Sequence, residues 1–439
     1  MVRPGHGGSL VEAEAVPRAD FLIDTADLVA TCAGPSPRAG AAQGDIAAVA
    51  HASVAAWHGR IVAVGPAAAV ARAIALEPGA TVVDGRGRLV VPGFVDPHTH
   101  LVYAGDRRDE LTRRLGGASY AEIAAAGGGI VRTVAATRAA SEDELVAAAL
   151  PRLAEALAQG TTTCEIKSGY GLDTATELRM LRAIRRLGAE QPIDIAATFM
   201  GAHEVPLEYR GRRDAYVRLV IDEMLPAVAA AGLAEWNDVF CEDGVFTPDE
   251  SRRILEAGLA LGLRPRIHAD ELGSSGGALT AAAVGAVSAD HLIHVDEAGA
   301  EAMARAGVIA TLLPAAAFFL KLGRYAPARM LVDRGVPVAL ATDRNPGGGF
   351  SPSMPFVLAL AAFGMDFTLE EALVAATINA AAALGRQHRV GSLEPGKQMD
   401  AVLVDGTLAD LVRVGAPVVA AVIKRGAVVH ERAPRRAEA

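Results

Sequence analysis

The sequence predicts an α/β protein whose centre is a parallel (β/α)8 barrel, with a small β-sandwich domain assembled from the two ends of the chain. Three observations predict it. Eight strand-like apolar runs alternate with helical stretches over about 300 residues, the pattern of a parallel sheet with crossover helices. Polar residues stand at the C-terminal end of nearly every run, where barrel enzymes keep their chemistry. Short strands separated by turns occupy both ends of the chain, too few at either end for a sheet of its own. The runner-up architecture is an open doubly wound sheet.

Taken in order, residues 1–19 are expected to be a disordered tail without the basic-then-apolar layout of a signal peptide. Residues 20–88 supply short strands, with a hairpin turn at His58-Gly59-Arg60. The barrel is expected over 89–390, its strands at 89–98, 161–167, 194–202, 236–241, 264–269, 286–291, 308–313 and 337–342. Ser141-Glu142-Asp143-Glu144 and Thr368-Leu369-Glu370-Glu371 are capping boxes that start helices. Thr247-Pro248-Asp249-Glu250 adds a proline at the first helical position. Residues 391–431 return to strand texture and complete the small domain, and 432–439 form a charged tail expected to be disordered.

Composition narrows the class. A net charge of −9 without a Lys/Arg cluster argues against a nucleic-acid surface. No run approaches the roughly 20 apolar residues of a membrane span. The three cysteines, Cys32, Cys164 and Cys241, are far apart and form no CxxC pair, which fits packing residues in a reducing cytoplasm.

The strand ends carry the chemistry. His98 and His100 are two residues apart at the end of the first strand, so they share a face and aim at one point. Glu165, Lys167 and Tyr170 close the second strand and His203 the third, and the fifth reads Arg266-Ile267-His268-Ala269-Asp270-Glu271. Asp290-His291 ends the sixth strand and Thr342-Asp343-Arg344-Asn345 the eighth. A single histidine on a strand is ordinarily a packing residue. Five on one rim argue for a metal, with His98, His100, His268 and Asp343 as ligands and a further position for water. Strand four ends without a lysine that could bridge two ions, so one zinc or iron ion is expected, with His291 left for another role. Lys167 is either a support for the ligands or a surface charge. The glycines 127–129 lack the Gly-Lys-Ser/Thr of a phosphate cradle and read as a flexible loop over the pocket.

PGFVDPHTH, HADE, SADH and ATD resemble the amidohydrolase superfamily. The longer signatures HTHLVYAGDRRDE (98–110), SYAEIAAAGGGI (119–130), EIKSGYGLDTATEL (165–178), FMGAHEVP (199–206) and ATDRNPG (341–347) resemble the imidazolonepropionase family within it. The resemblance implies a barrel of the amidohydrolase type and the same four metal ligands. It implies hydrolysis of the ring amide of 4-imidazolone-5-propanoate to N-formimidoyl-L-glutamate, in histidine degradation. Residue by residue, it puts Arg107, Tyr120, Tyr170, His203, Glu271, Asn345, Gly347 and Gly348 at substrate- or product-contacting positions. Gly348 departs from the family, which usually carries a hydroxyl residue there. Asp343, His291 and Glu271 become the proton-handling residues. Arg107 alone would read as part of a surface charge run, and the tyrosines and His203 as packing residues. The substrate's propionate, which a planar guanidinium can grip, favours the functional reading. A cytoplasmic homodimer acting on a small molecule, with no nucleic-acid or membrane partner, is expected. The competing readings are another mononuclear amidohydrolase, such as a cyclic amide hydrolase or deaminase, and a metal-free scaffold.

Overall fold

The computed structural model describes residues 16–118, 122 and 127–433. Its first strands are β1 (Arg18–Ala30), β2 (Ala48–Trp57), β3 (Arg60–Pro66), β4 (Ala75–Asp84) and β5 (Arg88–Pro92). β2 and β3 form the expected hairpin, with His58 at φ +49° and Gly59 at +74°, the left-handed pair that a two-residue turn between twisted strands requires. Next come β6 (Phe94–Asp96), β7 (Thr161–Lys167), β8 (Asp194–Ala202), β9 (Trp236–Cys241), β10 (Arg264–Ala269), β11 (Ser288–His291), β12 (Ile309–Leu312) and β13 (Val338–Leu340). The last three are β14 (Ala401–Asp405), β15 (Val419–Lys424) and β16 (Ala427–Glu431).

Among the described residues, the outer groups of strands join in one eight-stranded mixed sheet, ordered β16-β15-β14-β5-β1-β2-β3 with β4 also paired to β1. The two ends of the chain meet where β5 pairs antiparallel with β14. Phe21, Ile23, Val54, Leu403 and Ile423 belong to an apolar cluster separate from the main core, which gives this unit its own interior. β1 begins at Arg18, so the last two residues expected in the N-terminal tail are strand. Residues 1–15 and 434–439, where the rest of the expected tails fall, lie outside the described residues.

β6 to β13 form the other sheet, eight parallel strands in sequence order among the described residues. They are buried on both faces, as parallel strands covered by helices must be. Its two ends are drawn together: the Asp343 N–H reaches the His98 carbonyl at 3.1 Å, and the His100 N–H reaches the Arg344 carbonyl at 2.9 Å. Asp96 fastens the same seam by accepting from the Thr342 N–H at 3.0 Å and hydroxyl at 2.6 Å. The predicted first barrel strand, 89–98, is two strands in two different sheets. Gly93 is the reason: a Cβ there would lie 2.2 Å from Thr162 Oγ1, and its N–H bonds the Asp400 carbonyl. The chain can press against β7 and turn from one sheet into the other only without a side chain.

Capping boxes at Ser141, Thr247 and Thr368 open the helices Glu142–Ala158, Pro248–Ala260 and Leu369–Ala375. Each satisfies backbone donors at the helix start, and losing such a cap typically costs about 1 kcal/mol. Cys32, Cys164 and Cys241 are free and buried, and burial pushes the Cys32 and Cys241 thiols up to about 11, which suits inert packing. Among the described residues, no helix is long and apolar enough to cross a membrane.

Candidate metal centre and active site

His98 and His100 follow β6, His268 lies in β10 and Asp343 follows β13, so three separate stretches of sequence meet at the C-terminal mouth of the barrel. His268 Nε2 and His100 Nε2 are 3.4 Å apart. Asp343 Oδ1 lies 3.7 Å from His98 Nε2 and 3.8 Å from His100 Nε2. Donors each about 2.1 Å from one ion would stand about 3.0–4.2 Å apart, so these spacings fit a common centre. Two trios meet the geometry of a metal group, His98 with His100 and Asp343, and His98 with His268 and His291. His291, read from the sequence as outside the ligand set, therefore stands within reach of it.

The far side of the rings fixes which nitrogen faces inward. His98 Nδ1 is 2.6 Å from Asp290 Oδ2, and His268 Nδ1 is 3.0 Å from Asp238 Oδ1. A carboxylate only accepts, so both Nδ1 atoms carry the proton and both Nε2 atoms offer a lone pair to the centre. His98 Nε2 is buried and lacks a hydrogen-bond partner, an orphaned acceptor of the kind a cation satisfies. Asp290 and Asp238 were not singled out as site residues from the sequence. Asp290 could have been, since it precedes His291 on a strand end, whereas nothing local distinguishes Asp238 in Trp236-Asn237-Asp238.

A cavity of about 490 Å³ opens above this cluster. Of the predicted substrate contacts, Arg107, Tyr170, His203, Glu271, Asn345, Gly347 and Gly348 line it, together with His291 and Arg114. Tyr120 lies outside the described residues. His203 donates from Nδ1 to the Gly169 carbonyl at 2.9 Å if it holds the neutral Nδ1–H form, and its ring stacks on His100 at 4.9 Å between centroids. Arg107 is buried and grips Glu110 through Nε at 3.0 Å and Nη2 at 2.9 Å, which leaves its Nη1–Nη2 edge to meet a ligand. The other Glu110 oxygen accepts from the Gly129 N–H at 2.9 Å, so this acid ties the glycine segment to Arg107.

Asn345 is more committed than its sequence position suggested. Its Oδ1 accepts from the Gly347 and Gly348 N–H groups at 2.8 and 2.6 Å, and its Nδ2 donates to the Asp343 carbonyl at 2.8 Å. The Gly347 carbonyl in turn accepts from Arg114 at 3.0 Å. Asn345 thus folds the loop that carries Asp343, which sits at φ +48°. Gly349 completes this loop, because a Cβ there would fall 1.6 Å from the Asp343 carbonyl oxygen. Arg344 does not line the cavity and bonds the Gly349 carbonyl at 3.3 Å.

Residues 89–429 match the model of the amidohydrolase family. The chain belongs to the amidohydrolase family. Within it, the chain is 51% identical over 93% of its length to the imidazolonepropionase of Symbiobacterium thermophilum, covering 97% of that protein. It is 52% identical over 87% of its length to the imidazolonepropionase of Geobacillus kaustophilus, covering 91% of it. Among solved structures, the fold is shared with E. coli guanine deaminase at 15% identity and a TM-score of 0.70, over 94% of this chain and 99% of that one. It is shared too with a zinc-complexed atrazine chlorohydrolase from Arthrobacter aurescens, at 19% identity and a TM-score of 0.68, over 93% of this chain and 95% of that one.

The electrostatics of this amidohydrolase suit a cation. Burial holds His98, His100 and His291 well below the ordinary histidine range, and neighbouring positive groups add to the effect. Burial likewise takes His203 down to about 3. Burial pushes Asp343 up to about 7 against the pull of Asn345 and His268. Neutral imidazoles crowded around a desolvated carboxylate form a donor set that a divalent ion completes. Glu271 is pushed up to about 8 by burial and by the charges of Asp343 and Glu242, so it carries a proton at neutral pH. Its backbone is fixed by Glu242, which accepts from the Glu271 and Leu272 N–H groups at 2.9 and 2.8 Å.

Proposed function

We infer that the protein hydrolyses the ring amide C–N bond of 4-imidazolone-5-propanoate to give N-formimidoyl-L-glutamate. One observation carries the reading: nearly the whole chain is about half identical to imidazolonepropionases. The convergent donors at the barrel mouth supply chemistry that suits the reaction. A deaminase or a different cyclic amide hydrolase is not favoured, because the relatives at this identity carry the imidazolonepropionase name.

We assign His98, His100, His268 and Asp343 as ligands of one zinc or iron ion per subunit. When bound, such an ion polarises a carbonyl and lowers the pKa of water to about 7, making hydroxide available at neutral pH. In the proposed reaction, Asp343 and His291 orient the attacking water and Asp343 accepts its proton. His291, kept neutral by burial, offers an N–H to the oxygen on which negative charge develops. A C–O bond forms at the ring carbonyl carbon, and the C–N bond breaks with its electron pair moving to nitrogen. Glu271, already protonated, hands that nitrogen its proton. The Arg107 edge left open by Glu110 takes the propionate, with Tyr170, His203 and the Asn345–Gly348 loop around the ring. Tyr120 keeps its proposed substrate contact. A cytoplasmic homodimer without nucleic-acid or membrane partners completes the proposal.

Incubation of metal-loaded protein with imidazolone propionate tests it. Loss of the substrate's ultraviolet absorbance with matching formation of N-formimidoyl-L-glutamate is expected. Absence of turnover, or ammonia release from purines or pterins in its place, would overturn it.

A further inference from the structure

Beneath the ligands lies a fully buried set of charges that the reaction itself does not use. Lys167, the last residue of β7, donates to Glu165 Oε1 at 2.8 Å and to Asp238 Oδ2 at 2.7 Å, and stands 3.9 Å from Asp290 Oδ2. Each of those acids leads directly to the metal centre. Asp238 holds His268 Nδ1 and Asp290 holds His98 Nδ1. Glu165 accepts from the N–H of Thr99, the residue between His98 and His100, at 3.1 Å. Lys167, Asp238 and Asp290 come from β7, β9 and β11, alternate strands of the kind that build one layer of a barrel interior.

We propose that Lys167 is a positioning residue for the metal centre: its ammonium pins Asp238 Oδ2 at 2.7 Å, so that Oδ1 stays aimed at His268 Nδ1 and the His268 ring is held with its Nε2 lone pair turned inward. The physical reason is the acceptor count. With Lys167 in place both Asp238 oxygens are occupied and the carboxylate cannot turn, whereas without it Oδ2 is a buried acceptor with no partner and the group rotates to find another donor. Once that acceptor turns away from Nδ1, nothing holds the His268 ring or keeps its hydrogen on Nδ1, and the Nε2 lone pair is no longer fixed towards a cation. Lys167 touches neither substrate nor metal in this scheme and acts only through the acids. Arg266 supports it from the other side, donating to Asp290 Oδ2 at 3.2 Å and to the Pro97 carbonyl at 2.7 Å.

The inference rests on the four-ligand reading, and the test separates the two. Metal-free parent protein, Lys167→Met, Asp238→Asn and the double variant are titrated with zinc against a chromophoric chelator, with far-UV circular dichroism to confirm folding. If Lys167→Met does not fold, Lys167→Gln, which keeps a donor and drops the charge, replaces it. Lys167→Met is expected to weaken zinc binding by about 10- to 100-fold, the usual range for losing a residue that supports a ligand. The double variant should bind no more weakly than Asp238→Asn alone, because Lys167 works through that acid. Nitrogen NMR of the histidines should show His268 losing its Nδ1–H form in Lys167→Met. Parent-like zinc affinity in the folded lysine variant, or losses that simply add, would overturn the inference. If the parent itself binds no zinc that His98→Ala removes, the four-ligand reading fails instead.

Discussion

Replacing Arg107 with methionine should act on stability and on substrate binding by separate routes, and the structure allows the two to be separated. The Arg107 and Glu110 side chains are 6% and 1% exposed, and both arginine bonds go to one glutamate oxygen. Removing the arginine leaves Glu110 as a buried charge, a change that costs about 3–5 kcal/mol of folding stability. Removing both charges, as in Arg107→Met with Glu110→Gln, avoids the uncompensated ion and should recover most of that loss. Binding behaves differently. If the open guanidinium edge holds the propionate, its loss removes charge-assisted hydrogen bonds worth about 1.5–3 kcal/mol. That corresponds to a KM increase of about 10- to 150-fold, and the double variant should keep it. Urea unfolding gives the first quantity, provided the slope is unchanged, and the ultraviolet assay gives the second. A double variant with restored stability and parent-like KM would refute the propionate contact and leave Arg107 as a purely structural partner of Glu110.

Glu271→Gln should lower kcat by about 10²–10⁴-fold, the usual contribution of a positioned acid or base. Because the Glu271 carboxyl stands at about 8, its proton is present below that pH and lost above it, so parent kcat should fall as pH rises through 8 and the variant should lack that limb. The folded value lies above the ordinary 4.5, so the protonated folded form is favoured; this contribution is complete below 4.5 and lost as pH rises towards 8. Parent stability should therefore drop more than that of Glu271→Gln over the same interval, and parallel unfolding curves would discount the burial argument. His291→Ala should abolish turnover while metal analysis still finds one ion per chain; loss of the ion would add His291 to the ligands, which its grouping with His98 and His268 makes a sharp test. Chelation should remove activity and zinc or iron should restore it, with the melting temperature of the chelated protein lower than that of the loaded one.

Much of the barrel could be read in advance because most of its strands are short runs ending in chemistry, and several helix starts carry their own local signal. Ser141, Thr247 and Thr368 cap helices for reasons contained in four consecutive residues. The split at Gly93 could not be read that way. Leu89 to Asp96 is one apolar run by pattern, and only the approach of Thr162, about 70 residues further on, makes the chain leave one sheet for another. Histidines at strand ends gave the centre of the site, since i and i+2 on a strand share a face whatever the surroundings. The commitments of Arg107 to Glu110 and of Asn345 to its own loop were hidden because they depend on which hydrogen bonds a polar side chain makes, not on where it sits. Lys167 shows the same limit, for a lone lysine on a strand reads equally as a surface charge or as the hub of a buried network.

That network bears on why the barrel tolerates so much buried charge. Glu165, Asp238 and Asp290 set three acids against two cations, Lys167 and Arg266, in an interior where all five are fully buried. Buried ion pairs are poor stabilisers, since desolvation offsets most of their attraction, and well-packed apolar residues would serve the fold as well or better. Apolar packing could not, however, hold two imidazoles in a chosen tautomer. The formal excess of one negative charge lies below the inward-facing nitrogens, where it would offset part of the charge of a divalent ion. The same acids that fix the rings then also favour the ion electrostatically, so metal binding and barrel stability become linked. An interior layer that a barrel normally uses for packing is here given over to holding the rings of His98 and His268, and the surrounding apolar core must carry the stability this layer forgoes.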